Sequence, residues 1–116
     1  MKYYSLHNHT ERSNCRFLDS VARAKDEVDK AIAEGYSGIA ITEHENLSCA
    51  IDILKIRDSI KESHPDFKII LGNEIYLIPD DMVKYTEVHP YYHFIILAKD
   101  LIGWHQLTEL SSRAWD

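Results

Sequence analysis

The sequence predicts an α/β fold built on mostly parallel strands, and three observations carry the prediction. Short apolar runs alternate with longer segments whose apolar residues recur every three or four positions, the signature of strands followed by amphipathic helices. The order strand, helix, strand, helix opens the chain, as in parallel α/β folds. The 116 residues hold four strand candidates, whereas a closed barrel of eight strands and eight helices typically takes ~250 residues. About half a barrel is expected.

The first strand is expected over residues 3–6, followed by a polar loop over 10–20. A helix is expected over 21–34, where Val21, Ala24, Val28, Ala31 and Ile32 fall on one face. Gly35 stands where a helix C-cap glycine belongs. The run GIAIT, residues 38–42, reads as a buried strand, and a second helix over 48–63 carries Ile51, Leu54 and Ile60 before Pro65 stops it. Further strands are expected over 67–77 and 91–98, separated by the polar, proline-bearing stretch IPDDMVKYTEVHPYY, which suits a surface loop. The last segment is helical through Leu107, Leu110 and Ala114. It has no glycine or basic cluster to close it, so Asp116 is expected to be a cut within a longer chain.

Composition narrows the function. A hydrophobic content of 45% suits one modest core. The longest apolar runs, FKIIL and HFIILA, fall far short of the ~20 residues that cross a bilayer. With the polar HNHTERSN following YYSL, no signal peptide is expected at this N-terminus, and a cytoplasmic location without membrane contact is expected. Cys15 and Cys49 read as ordinary thiols in a reducing compartment. A net charge of −6 argues against wrapping nucleic acid by bulk electrostatics. A phosphate group would have to be met by bound metal ions.

In parallel α/β folds the chemistry gathers at the C-terminal ends of the strands. Those ends read His7 and His9 in LHNHT, then Glu43 and His44 after GIAIT, then Glu74 in GNEIY. Alternate residues of a strand share a face, so His7 and His9 would project together as half of a metal site. Imidazole or carboxylate at three successive strand ends is a pattern that scattered surface charge does not produce. His64, His89 and His105 read as surface residues, Asp80 and Asp81 as turn residues beside Pro79, and Tyr3, Tyr4, Tyr91 and Tyr92 as packing on strand faces.

Taken in order, LHNHT, FLDS, AITEH, GNEIY and YHFIILAKD resemble the polymerase and histidinol phosphatase (PHP) domain along almost the whole chain. The segment YHFIILAKDLIGWHQLTELSSRAW is similar to the one that PHP domains carry at the front of bacterial DNA polymerase III alpha subunits, a tail that histidinol phosphatases lack. The resemblance implies the N-terminal half of a distorted (β/α)7 barrel, with residues 1–116 the N-terminal part of the domain. It also implies metal ligands at His7, His9, Asp19, His44, Glu74 and His93, with Glu74 as the carboxylate bridging two ions. His93 rests on resemblance alone, because it falls at the start of its strand. Two departures stand out: Glu43, His44 and Glu45 replace the family's aspartate, histidine and glycine, and Ser20 replaces the glycine of its leucine-aspartate-glycine turn. The family's remaining ligands would lie beyond Asp116.

A ligand set of this kind suits two or three zinc or manganese ions, with magnesium the less suited alternative. The implied function is metal-dependent phosphoester hydrolysis in a replicative polymerase, with His7, His9 and Glu74 catalytic through the metal and an activated water. Removal of nucleotides from a DNA 3′ end is one form of it, and a metal-stabilised scaffold contacting other replisome subunits is another. A stand-alone histidinol-phosphatase-like enzyme and a non-catalytic protein-binding module are the alternatives. The fragment alone is expected to be inactive and to self-associate through its uncovered faces.

Overall fold

The computed structural model describes residues 1–14, 18–79 and 91–115. Cys15, Asp80, Asp81, His89, Asp116 and most of the loop expected after residue 77 lie outside the described residues. The described elements are β1 (Tyr4–Ser5), a 3-10 turn (Glu11–Ser13), α1 (Ala24–Ala33), β2 (Gly38–His44), α2 (Ala50–Ile60), β3 (Lys68–Leu77), β4 (Tyr92–Leu97) and α3 (Leu101–Trp115). They form one sheet in the order β1, β2, β3, β4. The pairs β1–β2 and β2–β3 are parallel, and β3–β4 is antiparallel. This is a mostly parallel half-barrel.

β2 is the centre of the sheet because it is apolar on both faces. Ile39 and Ile41 pack with Val28 and Ala31 of α1, and with Cys49 and Ile53 at and within α2, while Ala40 and Thr42 are buried on the other side. Each such fully buried branched side chain contributes about 1.5–3 kcal/mol. α1 ends as its sequence dictates: Gly35 takes φ 76°, and the amide nitrogens of Gly35 and Tyr36 donate to the carbonyls of Ile32 and Ala31.

Several expected positions differ. Val21 precedes α1 and is 80% exposed, since the chain over 18–23 serves the preceding loop. In α2 the residue facing the core is Ile53, which is fully buried, while Ile51 is 62% exposed; the helix starts at Ala50, which turns the 53, 56 and 60 face inward. Tyr3, Tyr91 and Tyr92 are more than half exposed or nearly so, their rings lying at the sheet margins. Tyr3 still makes an edge contact with Tyr36 at 4.6 Å.

Candidate metal centre

Strand register alone brings three of the expected ligands, together with Tyr76, onto one face. His44 pairs with Glu74 across β2 and β3, and Tyr76, two residues on, pairs with His93 across β3 and β4. Paired residues share a face, as do residues two apart. His44, Glu74, Tyr76 and His93 therefore face the same way. Because β4 runs antiparallel, its beginning lies beside the end of β3. This is why a residue at the start of a strand reaches a site at the strand ends, and why a uniformly parallel reading could not have selected His93.

His7 and His9 arrive differently from expectation. β1 ends at Ser5, so neither histidine lies on a strand. Asn8 between them substitutes for sheet pairing: its amide donates to Thr42 Oγ1 (3.1 Å), its carbonyl accepts from the Thr42 amide (2.9 Å), and its Nδ2 donates to the Ala40 carbonyl (2.8 Å). With Asn8 fixed against β2, both imidazoles turn to the other side. Their Nε2 atoms come within 2.9 Å of each other and within 2.7 Å (His7) and 2.8 Å (His9) of Glu74 Oε2.

Glu74 is 1% exposed and uses both oxygens. Oε2 meets His7 and His9, with His44 Nδ1 at 3.7 Å, while Oε1 meets His93 Nδ1. Asp19 approaches His44 Nε2 at 3.4 Å, its loop closed by Asn14, whose Oδ1 accepts from the amides of Asp19 and Ser20. The six residues expected as ligands thus meet in three overlapping groups: His7, His9 and Glu74; His9, Asp19 and His44; His44, Glu74 and His93. Within each group the donor atoms lie within 4.8 Å of one another. Imidazole nitrogens and carboxylate oxygens so crowded fit divalent ions by their chemistry, with Glu74 placed between two groups.

The electrostatics favour the ligand forms. Burial, followed by the charge of His44, lowers the His9 pKa below 6.5, which keeps the imidazole neutral at neutral pH. Burial pushes the Glu74 carboxyl up, but hydrogen bonds from His7 and His93 and the charges of His44 and His9 together outweigh it. Its pKa falls below 4.5. The stability this carboxylate contributes is present above pH 4.5 and is lost as pH falls through its folded value. A cavity of about 700 Å³ bordered by Tyr4, Tyr36, His64 and Lys68 lies at the opposite end of the strands and shares no residue with this cluster.

Other residues support the site without belonging to the expected set. Glu43 alternates away from His44, is fully buried, and accepts from the Thr10 amide (3.1 and 3.3 Å), the Thr10 hydroxyl and the Ser13 hydroxyl. Asn73 Nδ2 donates to the carbonyls of Glu43 (2.7 Å) and Asn46 (2.9 Å). Glu45, in the family's glycine position, takes φ 55°, a left-handed conformation that costs a non-glycine residue on the order of 1–3 kcal/mol. Ser20, in the other glycine position, donates its hydroxyl to the His9 carbonyl at 3.2 Å. The local signal for these roles was only a run of small polar residues near two histidines.

A PHP domain model matches residues 5–116. The chain belongs to the PHP domain family. Among relatives of this PHP domain, YorL of Bacillus subtilis, named as a DNA polymerase, is 42% identical over 95% of the chain. The DNA polymerase III subunit alpha of Treponema pallidum is 33% identical over 99% of it. The chain spans 9% of the length of each. A solved structure from Bifidobacterium adolescentis, described as a metal-dependent phosphoesterase, superposes with a TM-score of 0.63 at 17% identity, covering 93% of this chain and 32% of its own. That likeness shows a shared fold. The PHP domain is thus of the kind found in DNA polymerase III alpha-like proteins.

Against Glu43, Cys49 is an ordinary buried thiol, as expected. Burial first, then the Glu43 charge, pushes its pKa up to about 12. In a Cys15→Ser variant, Cys49 is expected to resist alkylation at mildly alkaline pH until denaturant is added. Reaction at the rate of a free thiol in the folded chain would contradict this. The neutral thiol also implies that stability falls as pH rises from the ordinary value of 9.0 toward 12.

Proposed function

We propose that this PHP domain binds two or three divalent ions, zinc or manganese in preference to magnesium, and hydrolyses phosphoesters, with the 3′ end of DNA as substrate. The observation that supports it is the convergence of four imidazoles on the two oxygens of one buried carboxylate, Glu74. His7, His9 and Glu74 would hold one ion, and His44, Glu74 and His93 a second, with Asp19 beside His44 available to either His44 or His9. Bound there, the ions would supply charge neutralisation for a phosphate and acidify a water for in-line attack. His7, His9 and Glu74 are then the catalytic residues in the sense that they orient that chemistry. The net charge of −6 agrees with a phosphate site whose positive charge comes from metal.

In this reading residues 1–116 are the N-terminal part of a larger PHP domain within a cytoplasmic replicative polymerase, and nucleotide incorporation resides outside them. Contacts with other replisome subunits follow from that setting. The chain alone would hold its ions weakly, lack hydrolytic activity and self-associate, with exposed Phe94, Leu101 and Ile102 as contact residues. In the complete protein, His9→Ala is expected to lower metal content and metal-dependent release of 3′ nucleotides while nucleotide incorporation persists. Unchanged metal content, or equal loss of both activities in a folded variant, would overturn the proposal. Metal that is retained without any nucleotide release in the wild type would leave the scaffold role in its place.

A further inference from the structure

We propose that Ser13 is a positioning residue that fixes the tautomer of His9, using Glu43 as the acceptor that sets its own direction. The inference rests on the metal reading above and adds to it a residue outside the ligand set.

Ser13 closes the 3-10 turn and is 4% exposed. Its hydroxyl has three partners: the Glu43 carboxylate, the His44 amide nitrogen at 3.0 Å and His9 Nδ1 at 3.0 Å. A hydroxyl offers one proton and two lone pairs. The His44 amide can only donate, so it occupies one lone pair. Glu43 as a carboxylate can only accept, and its other contacts, the Thr10 amide and hydroxyl, are donors too. The single Ser13 proton therefore goes to Glu43. What remains for His9 is a lone pair, so His9 must carry its proton on Nδ1 and donate it.

That leaves the Nε2 lone pair of His9 free on the side of the ring that lies 2.8 Å from Glu74 Oε2 and 2.9 Å from His7 Nε2. The arrangement is a carboxylate, hydroxyl, imidazole relay, a one-hydroxyl extension of the carboxylate–histidine pairs that orient metal-binding imidazoles. Ser13 also joins the two halves of the site, because the same oxygen receives the His44 amide and the His9 ring. Those two rings stack at 4.2 Å with planes 8° apart.

The test uses the complete protein, with 15N-labelled histidine, titrated with zinc alone at mildly alkaline pH, with long-range proton–nitrogen spectra reporting each nitrogen of His9 and a competing chromophoric chelator reporting affinity. In the wild type, His9 is expected to bind zinc through Nε2 with Nδ1 protonated. Ser13→Ala is expected to lower zinc affinity ~10–100-fold and to shift the His9 Nδ1 signal, with circular dichroism unchanged. Should that variant fail to fold, Glu43→Gln carries the test: its amide would donate to Ser13, turn the serine proton toward His9 Nδ1 and lower affinity over the same range. Zinc bound through His9 Nδ1, or wild-type affinity in the folded variant, would overturn the positioning role alone. A wild-type complete protein that binds no zinc would overturn the metal reading and this inference together.

Discussion

Glu74→Ala is expected to lower zinc affinity by more than ~100-fold. Changes behind the ligands cost ~10–100-fold in affinity, and this substitution removes the group shared by two of the three donor groups. Among the described residues the cluster's other carboxylate, Asp19, groups with His9 and His44 and not with His7 or His93. His7 and His9 would keep their mutual approach at 2.9 Å but lose the anionic partner that balances a dication, and His93 would lose the Glu74 oxygen that its Nδ1 meets. Competition against a chromophoric chelator measures the loss. Zinc affinity equal to that of the wild type would show that the ion sits elsewhere. Acidification should act in the same direction on the unmodified chain, because imidazoles must be neutral and the carboxylates ionised to bind.

The elements that were legible in the sequence are those whose signal is local. Residues 38–42 form an apolar run too short for a helix, and Gly35 sits where only a residue at ease with positive φ ends a helix well. The exposed Ile51 was misjudged because helical periodicity fixes the spacing of a face but not its phase, and the phase of α2 is set by where the chain leaves β2 and which residue, Ile53, meets Ile39 and Ile41. Strand direction is likewise non-local. β4 pairs antiparallel with β3, and no feature of YHFIIL itself encodes that direction.

At the site, side chains with chemistry of their own stood out, and side chains whose work is to hold others did not. His7, His9 and Glu74 were readable from their positions at the ends of apolar runs, although the expected reason, a shared strand face, gives way to Asn8 pinned against β2. Glu43 was visible as a carboxylate at a strand end, but the alternation of β2 turns it from the ligand face toward Thr10, Ser13 and Cys49. Its extra methylene relative to aspartate lengthens its reach toward that loop. Asn73, Asn14 and Ser13 act through backbone groups brought near by the fold, and a sequence carries no mark of such partners.

Glu43→Leu is expected to unfold the chain or bring it close to unfolding. The leucine matches the shape of the glutamate roughly and adds apolar contact with the core, so a stable protein would result if Glu43 were merely tolerated in the interior. The hydrogen bonds argue otherwise. Thr10 is 1% and Ser13 4% exposed, and without the carboxylate the Thr10 amide and hydroxyl and the Ser13 hydroxyl lose their acceptor together. Hydroxyls can turn to other acceptors, His9 Nδ1 among them for Ser13, but the Thr10 amide cannot. Each buried donor left unpaired costs about 1–3 kcal/mol, so the loss runs from about 1–3 kcal/mol for the amide alone to roughly 9 kcal/mol where neither hydroxyl is re-paired, against a total of about 5–15 kcal/mol for an ordinary domain. Glu43→Gln keeps an oxygen for Thr10 and should fold. Urea unfolding followed by circular dichroism compares the two: a midpoint for Glu43→Leu equal to that of the wild type would show that the loop over residues 10–13 is held by something other than this carboxylate.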